Sequence, residues 1–249
     1  MRAAISFLPL LLLAACLSTA RAQDKPLDAQ AAQAAFDTAD HALNAAWAAA
    51  KQKLTEAEFN KLKEDQRAWV EYRDYLARSP MYTGVSAGAQ GELPLDSPAY
   101  LEAAAGLEDM RTAWLQGLLH DWKEETLTGY WTDSYGGSIE IVQQEGHLYF
   151  IIQCVRGPTS HVGGLSGTAA WNTSIGWYSD KGVEKDKTDE TNLSFIHRDK
   201  KLDITGANTS YYHGVRAYFD GSYVRVKSLD AKAQAKIVKA AKSGELPEE

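Results

Sequence analysis

LKEDQRAWVEYRDYL, residues 62–76, decides the fold class of the N-terminal half. Leu62, Trp69 and Leu76 recur every seven residues, with Phe59, Gln66 and Arg73 filling the half-turns between them. That spacing predicts an amphipathic helix whose apolar face carries polar insertions at Gln66 and Arg73. Both need partners from another segment, because an unpaired buried polar group costs roughly 1–3 kcal/mol and a buried charge more. Upstream, Phe36, Asp40, Leu43, Trp47, Ala50 and Leu54 follow a 4-3-4-3-4 spacing, with Asp40 the one charge in that seam and Asn44 beside it. An Asp40–Arg73 contact is therefore the expected lock between helices one and two.

Outward from this seam, Asp28 is placed to cap the first helix and Thr55-Glu56-Ala57-Glu58 has the form of a capping box for the second. Ser97-Pro98 puts a cap and an N1 proline at the start of a third. In that third helix Tyr100, Ala104, Leu107, Arg111, Trp114 and Leu118 repeat the seam. The 18-residue connection 79–96 contains three Gly and two Pro, long for a bundle and hence mobile or functional. From about residue 127 the composition turns to Gly, Tyr and Thr and the period to two. Short strands are expected at 129–131, 138–142, 147–155, 167–171, 174–178, 191–197, 201–205, 211–219 and 222–226. The predicted fold is α+β in two domains: a three-helix bundle over 28–122, then a small antiparallel β-barrel or sandwich over 127–226. The tail, 227–249, reads as a basic Ala/Lys helix or a disordered segment, solvated or lightly docked.

The helical half carries a resemblance. Ala39-Asp40-x-x-Leu43-Asn44-x-x-Trp47, followed by Leu62-x-x-x-Gln66-Arg67-Ala68-Trp69-x-x-Tyr72-Arg73-Asp74, resembles the N-terminal domain of the LprI-type lysozyme-inhibitor family, over roughly residues 28–122. Asp40, Asn44, Gln66, Trp69, Arg73 and Asp74 form its structural motif. Members of that family usually carry cysteines before the first motif and just after the Arg-Asp pair, whereas Tyr75, Leu76 and Ala77 follow Asp74 here. The stretches Leu165-Ser166-Gly167-Thr168-Ala169-Ala170-Trp171 and Phe219-Asp220-Gly221-Ser222-Tyr223 look like the β-domain that often follows. The resemblance implies an inhibitor, so it supplies no catalytic residue.

Residues 1–22 read as an export signal: Arg2, an apolar run from 3 to 17, then small and polar residues. The run is shorter than the ~20 residues a membrane-spanning helix needs. Leu13-Ala14-Ala15-Cys16 resembles a lipobox that would acylate Cys16, while Ala20-Arg21-Ala22 before Gln23 forms an ordinary cleavage site. Ordinary cleavage is preferred, because Cys16 then ends an apolar region of normal length. The expected location is periplasmic or secreted, with an outer-membrane-anchored lipoprotein as the alternative. Membrane contact is expected only through that lipid. Cleavage leaves 24 basic against 33 acidic residues, a charge of −9, and residues 23–126 hold 10 basic and 18 acidic groups. Nucleic acid is a disfavoured partner, since neutralising phosphates needs a basic face. Cys154, in an apolar run, reads as a buried strand thiol.

Six histidines, at 41, 120, 147, 161, 197 and 213, have no i,i+4 pair among them, so neither a metal site nor a cofactor is expected. Adjacency of Ser160 and His161 is no evidence for a catalytic pair, which is assembled in space. Gly163-Gly164-x-x-Gly167 lies in β context without a Walker lysine, which argues against a phosphate loop. Surface recognition remains. Aromatic side chains supply large contact area with a polar handle, and Ser166, Trp171, Tyr211 and Tyr212 are the candidate partner-binding residues, around a glycine-flanked loop at 163–167. The function that the resemblance implies is that of an exported bacterial lysozyme inhibitor, not an enzyme, occluding a basic lysozyme; the alternative is an envelope binding or scaffold module. The expected partner is lysozyme or another basic envelope protein.

Overall fold

The computed structural model describes residues 28–88, 91–123, 125–159, 161–181 and 190–247. Residues 1–22, where an export signal is expected, with Cys16 among them, and Ser160 lie outside these. Among the described residues three long helices come first: α1 (Ala29–Lys53), α2 (Glu56–Ala77) and α4 (Pro98–Leu119). A single-turn helix, α3 (Pro80–Thr83), interrupts the connection between α2 and α4. The caps lie where the sequence placed them. Asp28 accepts from the Gln30 and Ala31 amides, Thr55 and Glu58 form a reciprocal capping box, and Ser97 accepts from the Tyr100 amide. The connection folds back on α2, with the Leu93 amide donating to Arg78 O at 2.8 Å and Leu93 buried. No helix among the described residues is long and apolar enough to cross a membrane.

α4 is the centre of the helical layer. Its predicted seam is buried, and so is a second stripe, Leu101, Ala105, Glu108, Thr112, Leu115 and Leu119, at the same 4-3-4-3-4 spacing. One set of side chains packs on α1, whose buried positions are mostly alanine, and another on α2. A third side meets the barrel, where Gly117 lies so close to its last strand, β8 (Gly221–Lys227), that a Cβ would overlap the Arg225 carbonyl oxygen. Only glycine permits that approach of helix to strand. Val224 of β8 completes the helical core.

Eight antiparallel strands form a closed meander: β1 (Gly129–Thr132), β2 (Gly137–Gln144), β3 (His147–Arg156), β4 (His161–Trp171), β5 (Ile175–Ser179), β6 (Asn192–Arg198), β7 (Lys201–Ala207) and β8 (Gly221–Lys227), with β8 pairing back on β1. The barrel form is thus the one observed, and closure removes the exposed strand edges that invite aggregation. Its interior is filled by side chains such as Phe150, Phe195, Phe219 and Tyr223. Cys154 is buried there, and burial pushes its thiol up.

The structure corrects two sequence expectations in this domain. Residues 163–167 are not a loop but part of β4. Their glycines make room for other side chains, His213 against Gly163, Leu246 against Gly164 and Tyr178 against Gly167. Residues 211–219 are not a strand. A 3-10 turn (Thr209–Tyr211) opens an irregular connection in which Asn208 and Arg216 take left-handed φ values of 57° and 70°. The tail is more firmly docked than its composition suggested. Helix α5 (Ala231–Ser243) buries Ile237, Ala240 and Ala241 against Val142, Tyr149 and Ile151 on the outer face of β2 and β3.

Candidate functional site

The polar residues of α2 converge on the junction between helices and barrel. Arg73 Nη1 donates to Glu108 Oε1 at 2.6 Å, and its Nε and Nη2 donate to Asp74 Oδ1 at 2.9 and 2.7 Å. The Tyr100 hydroxyl donates to the same Asp74 oxygen at 2.7 Å. The expected Asp40–Arg73 lock does not form. Asp40 accepts instead from Asn44 Nδ2 at 2.9 Å, and Glu108 of α4 takes the place assigned to it. The reason is geometric: α4 lies against both other helices, so its wholly buried carboxylate reaches Arg73 first.

Glu108 is electrostatically exposed to its surroundings although no solvent reaches it. Burial pushes its carboxyl up to about 7, with Arg73 opposing and Asp40 adding to the rise. Its Oε2 has no hydrogen-bond partner. A folded-state value above the ordinary 4.5 means that the folded form holds the proton more tightly. The stability this contributes is complete below about pH 4.5 and is lost as pH rises through about 7. Relative to Glu108→Gln, the native chain is expected to lose roughly 1–3 kcal/mol between pH 5 and 8. Urea denaturation of both proteins at the two pH values checks this; parallel pH profiles would contradict it.

Arg111, fully buried on α4, holds a second set of contacts. Its Nε donates to Gln66 Oε1 at 2.9 Å, Nη2 meets Asp65 Oδ2 at 2.5 Å, and Nη1 reaches Ser134 Oγ of the barrel at 3.5 Å. The guanidinium carbon lies 5.5 Å from the Trp69 ring centre and 4.4 Å from that of Trp114. Gln66 therefore finds in buried Arg111 the partner that the sequence demanded, as Arg73 does in buried Glu108.

The β1–β2 turn closes the junction. The Tyr135 hydroxyl donates to Asp65 Oδ1 at 3.1 Å, and the Tyr72 hydroxyl donates to Tyr135 O at 3.0 Å. Burial pushes Tyr72 up to about 12. Arg156 Nη1 also donates to Tyr135 O, at 2.7 Å, and pairs with Asp133 Oδ2 at 2.6 Å, both side chains being 4% exposed. Asp133 Oδ1 accepts from the Tyr135 and Gly137 amides, each at 2.8 Å. Arg156 then spans to the β7–β8 connection, donating to Tyr218 O and stacking 4.2 Å over the Tyr218 ring. Asp65, Glu108, Tyr135 and Arg156 were not singled out from sequence. Only Glu108 left a signal, as the one charge in the second stripe of α4.

The partner-binding candidates of the barrel do not form one site. Ser166 is 1% exposed and donates to Ala240 O at 3.4 Å beneath α5, which removes it as a donor to an external cleft. Trp171 packs partly into the barrel at the far end of β4. Tyr211 and Tyr212 do come together, T-shaped at 5.1 Å, with Tyr211 exposed and the Tyr212 hydroxyl donating to Asp180 Oδ2 at 3.1 Å. Elsewhere, a groove of about 490 Å³ runs between α1 and the end of α4, with Ala42, Ala45, Ala46 and Ala49 on one side and Gln116, Leu119, His120 and Asp121 on the other. No Ser, Thr or Cys nucleophile lines it.

A family described as Lysozyme inhibitor LprI matches residues 16–115. That span takes in α1, α2, α3 and most of α4, and with them Asp40, Arg73, Glu108 and Arg111. No curated protein and no solved structure matches the chain.

Proposed function

We propose that the chain is an exported inhibitor that binds a basic lysozyme and occludes it without catalysing any reaction. The observation that carries this reading is the match of its helical half to a lysozyme-inhibitor family. In this reading the protein acts in the periplasm or outside the cell, with its mature chain starting at Gln23; the intact mass of the processed protein tests this, since an acylated Cys16 would contradict it. The acidic surplus of residues 23–126, 18 acids against 10 bases, supports a basic partner, because complementary charge raises encounter rates by ~10- to 10³-fold at low salt. The missing cysteines after Asp74 favour the alternative of an envelope binding module without inhibitory activity.

The test is association of the mature chain with a basic animal lysozyme at rising ionic strength. Screening shortens from ~30 Å at 0.01 M to ~8 Å at 0.15 M salt. The on-rate is expected to fall at least tenfold over that range while the off-rate changes little. Absence of binding at both ends would remove the reading.

A further inference from the structure

We infer that the contact face for a basic protein partner is the tyrosine-lined seam where α2 meets the end of the barrel. This rests on the inhibitor reading and names the surface through which it operates. Four separate segments build the seam. α2 supplies Tyr72 and, one turn on, Tyr75, which is 60% exposed. The β1–β2 turn supplies Tyr135, whose ring lies 5.2 Å from that of Tyr72. The β7–β8 connection supplies Tyr218 and Val215, 47% and 80% exposed, and β4 supplies Val162, whose carbonyl accepts from the Gly214 amide at 2.9 Å.

Single exposed apolar side chains need no explanation, whereas a contiguous set marks an interaction surface. This set is held in place from below. Tyr72 and Arg156 both donate to Tyr135 O, and Arg156 carries the ring of Tyr218. A surface fixed in advance loses little freedom on binding, and tyrosine gives large contact area for few rotatable bonds. Charge selects the partner. The flank of α2 that carries Tyr72 and Tyr75 also carries Asp65, 39% exposed despite its pairing with Arg111, and the exposed Glu64 and Glu71, against one exposed cation, Lys61, while Arg216 is the exposed cation of the β7–β8 connection. Lysine and arginine side chains of a basic protein would meet carboxylates at the rim and the faces of tyrosine rings at the centre. Trp177 with Ile175 on the outer face of β5, and Tyr211, are exposed as well but lie wholly outside the family-matched span, whereas the seam takes Tyr72 and Tyr75 from it.

The experiment compares the full mature chain with a Tyr75→Ser/Val215→Ser/Tyr218→Ser variant, and with Trp177→Ser, for binding to a basic animal lysozyme. The altered side chains of the triple variant are surface groups, so its melting temperature should stay within a few degrees of the native value. Its dissociation constant should rise by at least tenfold, and that result supports the seam. Native affinity in the triple variant, or a loss confined to Trp177→Ser, would overturn the seam while leaving an inhibitor in place. If the native chain itself does not bind, the inhibitor reading falls and the seam assignment with it.

Discussion

Replacing Arg111 with alanine is expected to destabilise the helical layer by about 3–5 kcal/mol, the usual result of removing one partner from a buried pair. Arg111 is fully buried and links α4 to Asp65 and Gln66 of α2 and to Ser134 of the barrel. Its loss leaves Asp65, which is 39% exposed and can recover water; that relief limits the electrostatic part. The packing part is larger than for an ordinary salt bridge, because the guanidinium fills the space between Trp69 and Trp114 and cation–π contacts add roughly 0.5–2 kcal/mol each. Arg111→Met should recover part of the packing and none of the polar contacts. Urea denaturation followed by far-UV circular dichroism should show the helical transition moving to lower denaturant, with the barrel transition moving less. A shift below about 1 kcal/mol would mean that Arg111 is not the link between the layers.

Asp133→Ala is expected to cost as much, about 3–5 kcal/mol, for a different reason. Its partner Arg156 is only 4% exposed, so the cation left behind has no route to water. The remaining acceptors are the carbonyls of Tyr135, Tyr218 and Asp220. Asp133 also fixes the β1–β2 turn by accepting from the Tyr135 and Gly137 amides. Asp133→Asn separates the two effects, since its amide oxygen can keep the turn but supplies no countercharge. The asparagine variant should fall between native and alanine; equal stability of asparagine and native protein would show that the charge pair contributes nothing. Because Tyr135 is part of the seam, Asp133→Ala should also weaken lysozyme binding, while Ile237→Ala, on the buried face of α5 against β2 and β3, should not.

The helices were legible because helix ends and buried stripes leave local signals. The capping box at Thr55 and Glu58 and the seam through Trp69 depend on residues within a few turns of each other. The partner of Arg73 was not legible from a single seam. Asp40 satisfied the pairwise pattern, and only the second stripe of α4, through Leu101, Glu108 and Leu115, says that this helix is enclosed by two neighbours. In the barrel, alternation located most strands. It failed at 211–219, where aromatic composition favours a strand but Asn208 and Arg216 turn the chain with left-handed backbone. It failed again at Gly163, Gly164 and Gly167, where glycine marks the close approach of His213, Leu246 and Tyr178 rather than a loop. The docking of α5 was foreshadowed by β3, whose run from Leu148 to Val155 is apolar on both faces and so needs cover outside as well as inside. Arg156, Asp133 and Tyr135 left no sequence signal, because what unites them is the meeting of three turns at one end of a barrel.

The most direct test of the inhibitor reading is the rate at which a basic animal lysozyme lyses bacterial cell walls in the presence of purified protein spanning residues 23–249. Inhibition should be saturable and reach completion near one inhibitor per enzyme once both exceed the dissociation constant. It should weaken as salt rises from about 0.01 to 0.15 M, following the loss of electrostatic attraction. An unchanged lysis rate at low salt with tens of micromolar protein would contradict it.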